Sequence, residues 1–208
     1  MQQLPPIVLE CPECGEKYLI SRDSYSPSEQ AIIYSDGFFF DETNWRTPYI
    51  IGCVTCELGF FPENGKIIAK PDWDEFHEEW SQVKKAEPPT AGSLALELRA
   101  RKKMSRSEEL ALRTEFWYSG LHAETGRLLM SKNKKFKQFW EDSLDKLEAI
   151  LTTDNAKDLL LKAEINRQLG RFSTSIDLLN KLEDPIAKQI VENARKQNSA
   201  LFKIVATR

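Results

Sequence analysis

The sequence predicts an α+β protein, a small N-terminal antiparallel β domain followed by an all-α helical bundle, and three observations carry that division. All four cysteines of the 208-residue chain fall in two C-x-x-C pairs, Cys11/Cys14 and Cys53/Cys56, within a segment of short apolar runs. From about Ser93 onward, apolar residues recur at spacings of three and four, the period of an amphipathic helix. Between the halves, AEPPTAGS gathers the prolines and small residues typical of a linker. The expected boundaries are 1–70 for the β domain, 71–92 for a linking helix with a Pro-rich linker, and 93–208 for the helical domain.

Short strands are predicted from Ile7 to Ala69. AIIYSDGFFF sets Asp36-Gly37 between apolar runs and GFFPENGKII does the same with Asn64-Gly65, the pairs that type I′ hairpin turns require. A further strand, PYIIGC, leads into the second cysteine pair. At Pro71 the pattern changes: Asp72 can cap a helix through WDEFHEEWSQVKKA, with Trp73, Phe76, Trp80 and Val83 near one face, carboxylates early and Lys84-Lys85 late, as the helix dipole favours.

Ser105 and Glu108 form a capping box that opens a helix through LALRTEFWYSGLHAETGRLL. KKFKQFWEDSLDKLEAIL repeats Phe136, Phe139, Trp140, Leu144 and Leu147 on one face. NAKDLLLKAEINRQL follows Asp154, stops at Gly170 and is answered by STSIDLLNKL. Asp184-Pro185 is a cap and first-turn pair for a last helix whose Ile186, Ile190, Ala194, Leu201 and Val205 share a face. SLDKLEAIL and SIDLLNKL align at a constant offset of 32, placing Leu147 over Leu179, close to the ~34-residue period of helix-turn-helix repeats. LLLKAEINRQLGRFSTSIDLLNKLEDP resembles a tetratricopeptide repeat: Ala163 is small where two helices approach, Gly170 marks the turn, Phe172 follows it, and Ser175 and Leu179 alternate small and large. It departs from that family at Asn166 and in the early Pro185.

A C-x-x-C turn presents two sulfurs on one side of a knuckle, and two facing knuckles make a tetrahedral S4 site suited to zinc, with iron using the same four ligands. Cys11, Cys14, Cys53 and Cys56 are therefore the candidate metal ligands. A redox dithiol takes a single C-x-x-C at a helix N-terminus beside a βαβ pattern, a context neither pair has. CPECG, with Pro12 inside and Gly15 after it, resembles the zinc-ribbon family; the second pair departs from it because Glu57 follows Cys56. The 38 residues between Cys14 and Cys53 exceed the usual ribbon interval, and the SDG hairpin is the natural insert. Because four cysteines close the sphere and a thin β core gains folding energy from a metal tie, the expected role is structural. The whole reads as a zinc-ribbon-like domain fused to tetratricopeptide-like helices, similar to uncharacterised bacterial proteins of this plan.

Other chemistry is sparse. The only histidines are His77, among carboxylates on a wet helix face, and His122, with no partner at metal spacing. No activated-nucleophile motif and no phosphate-binding glycine loop occurs, so the chain is expected not to be an enzyme. Residues 1–70 carry ten Asp/Glu against five Lys/Arg, a local net charge of −5, whereas 105–208 come to +3. Two basic clusters, Arg99 to Arg106 and Lys132 to Lys137, can meet phosphates, but the acidic half repels a nucleic-acid backbone. Phe38 to Phe40, Trp45, Phe60-Phe61 and Trp73 form an aromatic surplus too large for one strand face.

The expected function is a non-enzymatic zinc-binding scaffold or adaptor that binds a protein partner or self-associates through its helices. A nucleic-acid- or ribosome-associated zinc protein and a thiol-redox or metal-responsive regulator are the alternatives. With no signal-peptide pattern and no bilayer-length apolar run, a soluble, cytoplasmic protein without membrane contact is expected.

Overall fold

The computed structural model describes residues 5–21, 31–40 and 47–205; Trp45 of the aromatic surplus lies outside them. The N-terminal part is built on β1 (Ile7–Glu10) and β2 (Lys17–Ile20), a tight antiparallel pair with Leu9 opposite Tyr18. The inserted hairpin follows as β3 (Ile32–Ile33) and β4 (Phe39–Phe40). Then come β5 (Ile51–Gly52) and β6 (Gly59–Phe60), paired around the second cysteine turn, and β7 (Lys66–Ala69), antiparallel to β1.

Adjacent apolar residues feed two different cores because successive side chains on a strand point to opposite faces. Ile51 and Phe60 pack with Leu9, Tyr18, Cys11 and Cys53. Ile50 and Phe61 turn the other way, into the helical core. That alternation accounts for Phe60-Phe61, and Phe38 packs against the helical core, while Phe40 and Trp73 are exposed.

Several local expectations are corrected. The Asp36-Gly37 hairpin forms, but only Gly37 takes a left-handed φ, of 81°. Tyr34 N–H donates to Phe38 O and Gly37 N–H to Tyr34 O, so the loop has three residues and closes on a glycine bulge instead of a type I′ pair. Asn64-Gly65 is no hairpin at all. Pro62 starts a 3-10 turn over Pro62–Asn64, and β7 leaves to pair with β1. Gly65 has ordinary extended backbone, and what it supplies is room: a Cβ there would lie 2.6 Å from the Leu9 side chain.

Asp72 caps as expected, accepting from Glu75 N–H at 2.9 Å. The helix it opens is short: α1 (Trp73–Glu75) runs into one π-type stretch, Phe76–Trp80, and ends. Lys84–Lys85 form β8, parallel to β2, where the sequence suggests a helix end. The strand wins because it carries Ala86 into the N-terminal core, where its N–H donates to Leu19 O. The prolines beyond are pinned: Gly52 N–H donates to Glu87 O, and a Cβ on Gly52 would meet Pro89 Cα at 2.9 Å.

The helices are α2 (Ala91–Ala100), α3 (Arg106–His122), α4 (Glu124–Lys132), α5 (Lys134–Ile150), α6 (Ala156–Gln168), α7 (Phe172–Leu179) and α8 (Pro185–Arg195). The Ser105/Glu108 capping box and the Asp184 cap form as expected. The predicted single helix through LHAETG breaks at Ala123, whose ψ of 136° is extended, and α4 folds back until Gly126 meets the Ser119 carbonyl. Successive helices α5, α6, α7 and α8 pack on one another, with α3 against α5. Leu147 and Leu179, equivalent under the 32-residue offset, are both buried.

The last helix stops at Arg195, ten residues before the predicted face ends. Gln197 takes a left-handed φ of 52°; its N–H donates to Ala194 O and that of Asn198 to Asn193 O, a Schellman stop. Leu201 to Val205 instead run extended beside β3, with Ser35 N–H donating to Phe202 O and Ile204 N–H to Ile33 O. Among the described residues no helix is long and apolar enough to cross a membrane.

Candidate metal centre

The cysteine turns are built alike. Cys11 N–H donates to Glu16 O at 2.8 Å, and Cys53 N–H donates to Leu58 O at 2.9 Å, an offset of five residues in each. Four residues after each first cysteine the chain turns left-handed, at Gly15 with φ 78° and at Glu57 with φ 62°. The second turn thus reaches the same geometry without glycine. Thr55 Oγ1 donates to the Glu16 carboxylate at 2.7 Å, fastening one knuckle to the other.

These turns bring the four sulfurs within 4.8 Å of one another. Across the knuckles Cys11 Sγ lies 3.8 Å from Cys56 Sγ, and Cys14 Sγ 3.4 Å from Cys53 Sγ. A disulfide needs about 2.05 Å, so the thiols are free. A tetrahedral ion with metal–sulfur bonds of about 2.3 Å separates its ligands by about 3.8 Å. The donor set fits a metal ion such as zinc.

The site has an inner and an outer side. Cys11 and Cys53 are buried, while Cys14 is exposed and Cys56 partly so. Buried Tyr18 donates its hydroxyl to Cys53 Sγ at 3.3 Å and accepts from Val54 N–H at 3.0 Å. Burial raises the Cys53 pKa, but the Tyr18 hydroxyl, the Cys56 and Thr55 amides and the Cys14 contact outweigh it and bring the thiol down to about 6. For Cys14 the Glu16 amide acts downward; desolvation and the sulfurs of Cys53, Cys11 and Cys56 overcome it, and the thiol rises to about 12. The Tyr18 hydroxyl and the backbone amides favour a thiolate at Cys53, whereas desolvation and the neighbouring sulfurs set up a resistance to one at Cys14. A divalent cation removes that resistance.

The remaining candidates fall elsewhere. His77 is exposed and stacks on Trp73 with ring centroids 5.8 Å apart. Arg99 stacks over Phe139, Arg101 pairs with Glu97, and Arg106 donates to Ile150 O, so the arginines of this basic cluster make internal contacts while Lys102 and Lys103 are exposed. Lys132, Lys134 and Lys135 are exposed at the α4–α5 corner.

A polar array that local sequence patterns do not signal ties the inserted hairpin to the helices. Asp36, fully buried, lies 2.7 Å from His122 Nε2, and the imidazole stacks on Phe38 at 3.9 Å. Ser35 donates to Glu164, which pairs with Arg167, and Arg167 holds the carbonyls of Asn198 and Ala200 at the start of the tail. Asp36 and His122 are 86 residues apart, a separation at which no spacing rule operates. Beside the array, hairpin and helices enclose a mainly apolar cavity of about 560 Å³.

Comparison with known protein families, curated proteins and solved structures returns no match.

Proposed function

We propose that this chain is a non-enzymatic, zinc-tied adaptor that binds a protein partner through its ribbon-like and tetratricopeptide-like parts. The observation that carries the proposal is the closed donor set: four cysteine sulfurs within 4.8 Å leave no ligand position for water or substrate. A metal so enclosed supplies folding energy and shape. Its residues do the holding: Cys11 and Cys53 from inside, Cys14 and Cys56 from the rim, and Tyr18 orients Cys53.

The helical half supports the same reading. In the α6–α7 hairpin Ala163 is fully buried in a cluster with Leu179, and Gly170 turns left-handed with φ 76°, as a tetratricopeptide-like unit requires. Free thiols suit a reducing, cytoplasmic setting.

Purified chain is expected to carry one zinc per molecule, colourless where four-cysteine iron would absorb visible light. Chelation should lower the thermal midpoint, and affinity capture should yield a partner that reconstitutes a stoichiometric complex from two purified proteins. A metal-free chain of unchanged midpoint, or turnover that depends on the metal, would contradict the proposal.

A further inference from the structure

The second knuckle and α2 enclose a groove of about 750 Å³ beside the metal centre. Its apolar surface comes from Leu58, Phe60, Phe61 and Leu96. Leu96 is 66% exposed and Leu58 53%, and both line the same groove. The rim is acidic. Glu97 is neutralised by Arg101, whose guanidinium also lies over the Phe61 ring. Glu13 and Glu57, on opposite knuckles, make no hydrogen bond or ion pair among the described residues, and the four-thiolate centre with a divalent ion adds two further negative charges.

Glu57 is also the residue held left-handed, at φ 62°. At the equivalent place in the first knuckle the chain uses Gly15, which takes that conformation without strain. A glutamate there costs stability in the free protein and places a carboxylate on the groove. Backbone strain of this kind gathers where a side chain serves binding.

We infer that this groove receives a short segment of a partner protein that combines a large aliphatic or aromatic anchor with lysine or arginine. The anchor lies against Leu58 and Leu96; the cations meet Glu13 and Glu57. The carboxylates of the rim disfavour acidic segments and nucleic-acid backbones. Since Glu57 and Leu58 directly follow Cys56, the wall of the groove stands only while the metal holds the knuckle, and this ties partner binding to metal occupancy. The inference rests on the adaptor reading and names its docking site.

The test is selection of a phage-displayed random 12-residue peptide library on the full-length, zinc-loaded chain, followed by fluorescence polarisation with the enriched peptides. Enriched sequences are expected to pair Leu, Ile, Phe or Trp with at least two Lys or Arg. Leu96→Asp should weaken them about tenfold or more, Glu57→Lys at least several-fold, and chelation should abolish binding. Glu57→Gly separates binding from folding: it should raise the thermal midpoint while weakening the peptide about three- to fivefold. Lys134→Glu, at the α4–α5 corner, should change nothing.

Enrichment without cationic bias, or binding indifferent to Leu96→Asp and Glu57→Lys, overturns the groove and leaves the adaptor reading standing. Failure to enrich any peptide counts against both. If sedimentation shows concentration-dependent self-association that Leu96→Asp abolishes, the occupant is a second copy of this chain and the partner assignment is wrong.

Discussion

At the scale of single residues, one hydroxyl holds a sulfur of the four-cysteine site in place. Tyr18 is buried, donates to Cys53 and accepts from Val54 N–H, so Tyr18→Phe strands an amide and frees a ligand. It should lower metal affinity about 10- to 100-fold, read by competition with a chromophoric chelator, and cost about 1–2 kcal/mol in urea unfolding. The cysteines were legible because their spacing is itself the signal. Tyr18 was not, since it reaches across 35 residues to Cys53 and nothing in KYLI marks it. A second residue makes a pH prediction. Burial raises the Asp158 carboxyl, but hydrogen bonds from the Thr152 amide and hydroxyl and from Asn155 more than offset it, holding the pKa below the ordinary 3.8. A depressed carboxyl contributes stability above pH 3.8 that disappears as pH falls through its folded value. Asp158→Asn should therefore cost about 0.5–1 kcal/mol at pH 7, and acid titration of the unfolding free energy should bring the two proteins together as the pH falls through the depressed folded value.

At the scale of elements, periodicity found most helices and missed their ends. The α5 stripe is a local pattern, and the buried Phe136, Trp140, Leu144 and Leu147 bear it out. Helix ends were set by contacts made elsewhere. The turn after Trp80 exists so that Lys84–Lys85 can join β2, and the chain leaves α8 at Gln197 so that the tail can reach β3. LHAETG looks continuous because Ala123 is a good helix former; the break there lets α4 return onto α3. That return rests on Gly126, where an added Cβ would sit 1.9 Å from Ser119 O. Gly126→Ala, favourable by helix propensity alone, should instead destabilise the protein by about 1–3 kcal/mol in chemical denaturation. A stabilising result would mean that α3 and α4 are not in contact as described.

At the scale of the whole molecule, the β and α parts are interlocked by chain that the sequence presents as an insert and as the end of the last helix. The hairpin between the cysteine pairs docks on α3 through Phe38, Asp36 and His122, and the C-terminal segment lies beside it, anchored by buried Arg167. Ile50 and Phe61 enter the helical core from β5 and from the end of β6. The α+β class and its order along the chain were readable because composition changes at Pro71; this interlocking was not, because its contacts span 80 to 170 residues. The four-cysteine site lies in the β part, whose buried cluster is small. Whether four cysteines alone surround a bound ion is read from X-ray absorption at the metal edge of the purified chain. A closed site gives four sulfurs at about 2.3 Å and no lighter ligand; a shell containing oxygen or nitrogen, or fewer than four sulfurs, would contradict it.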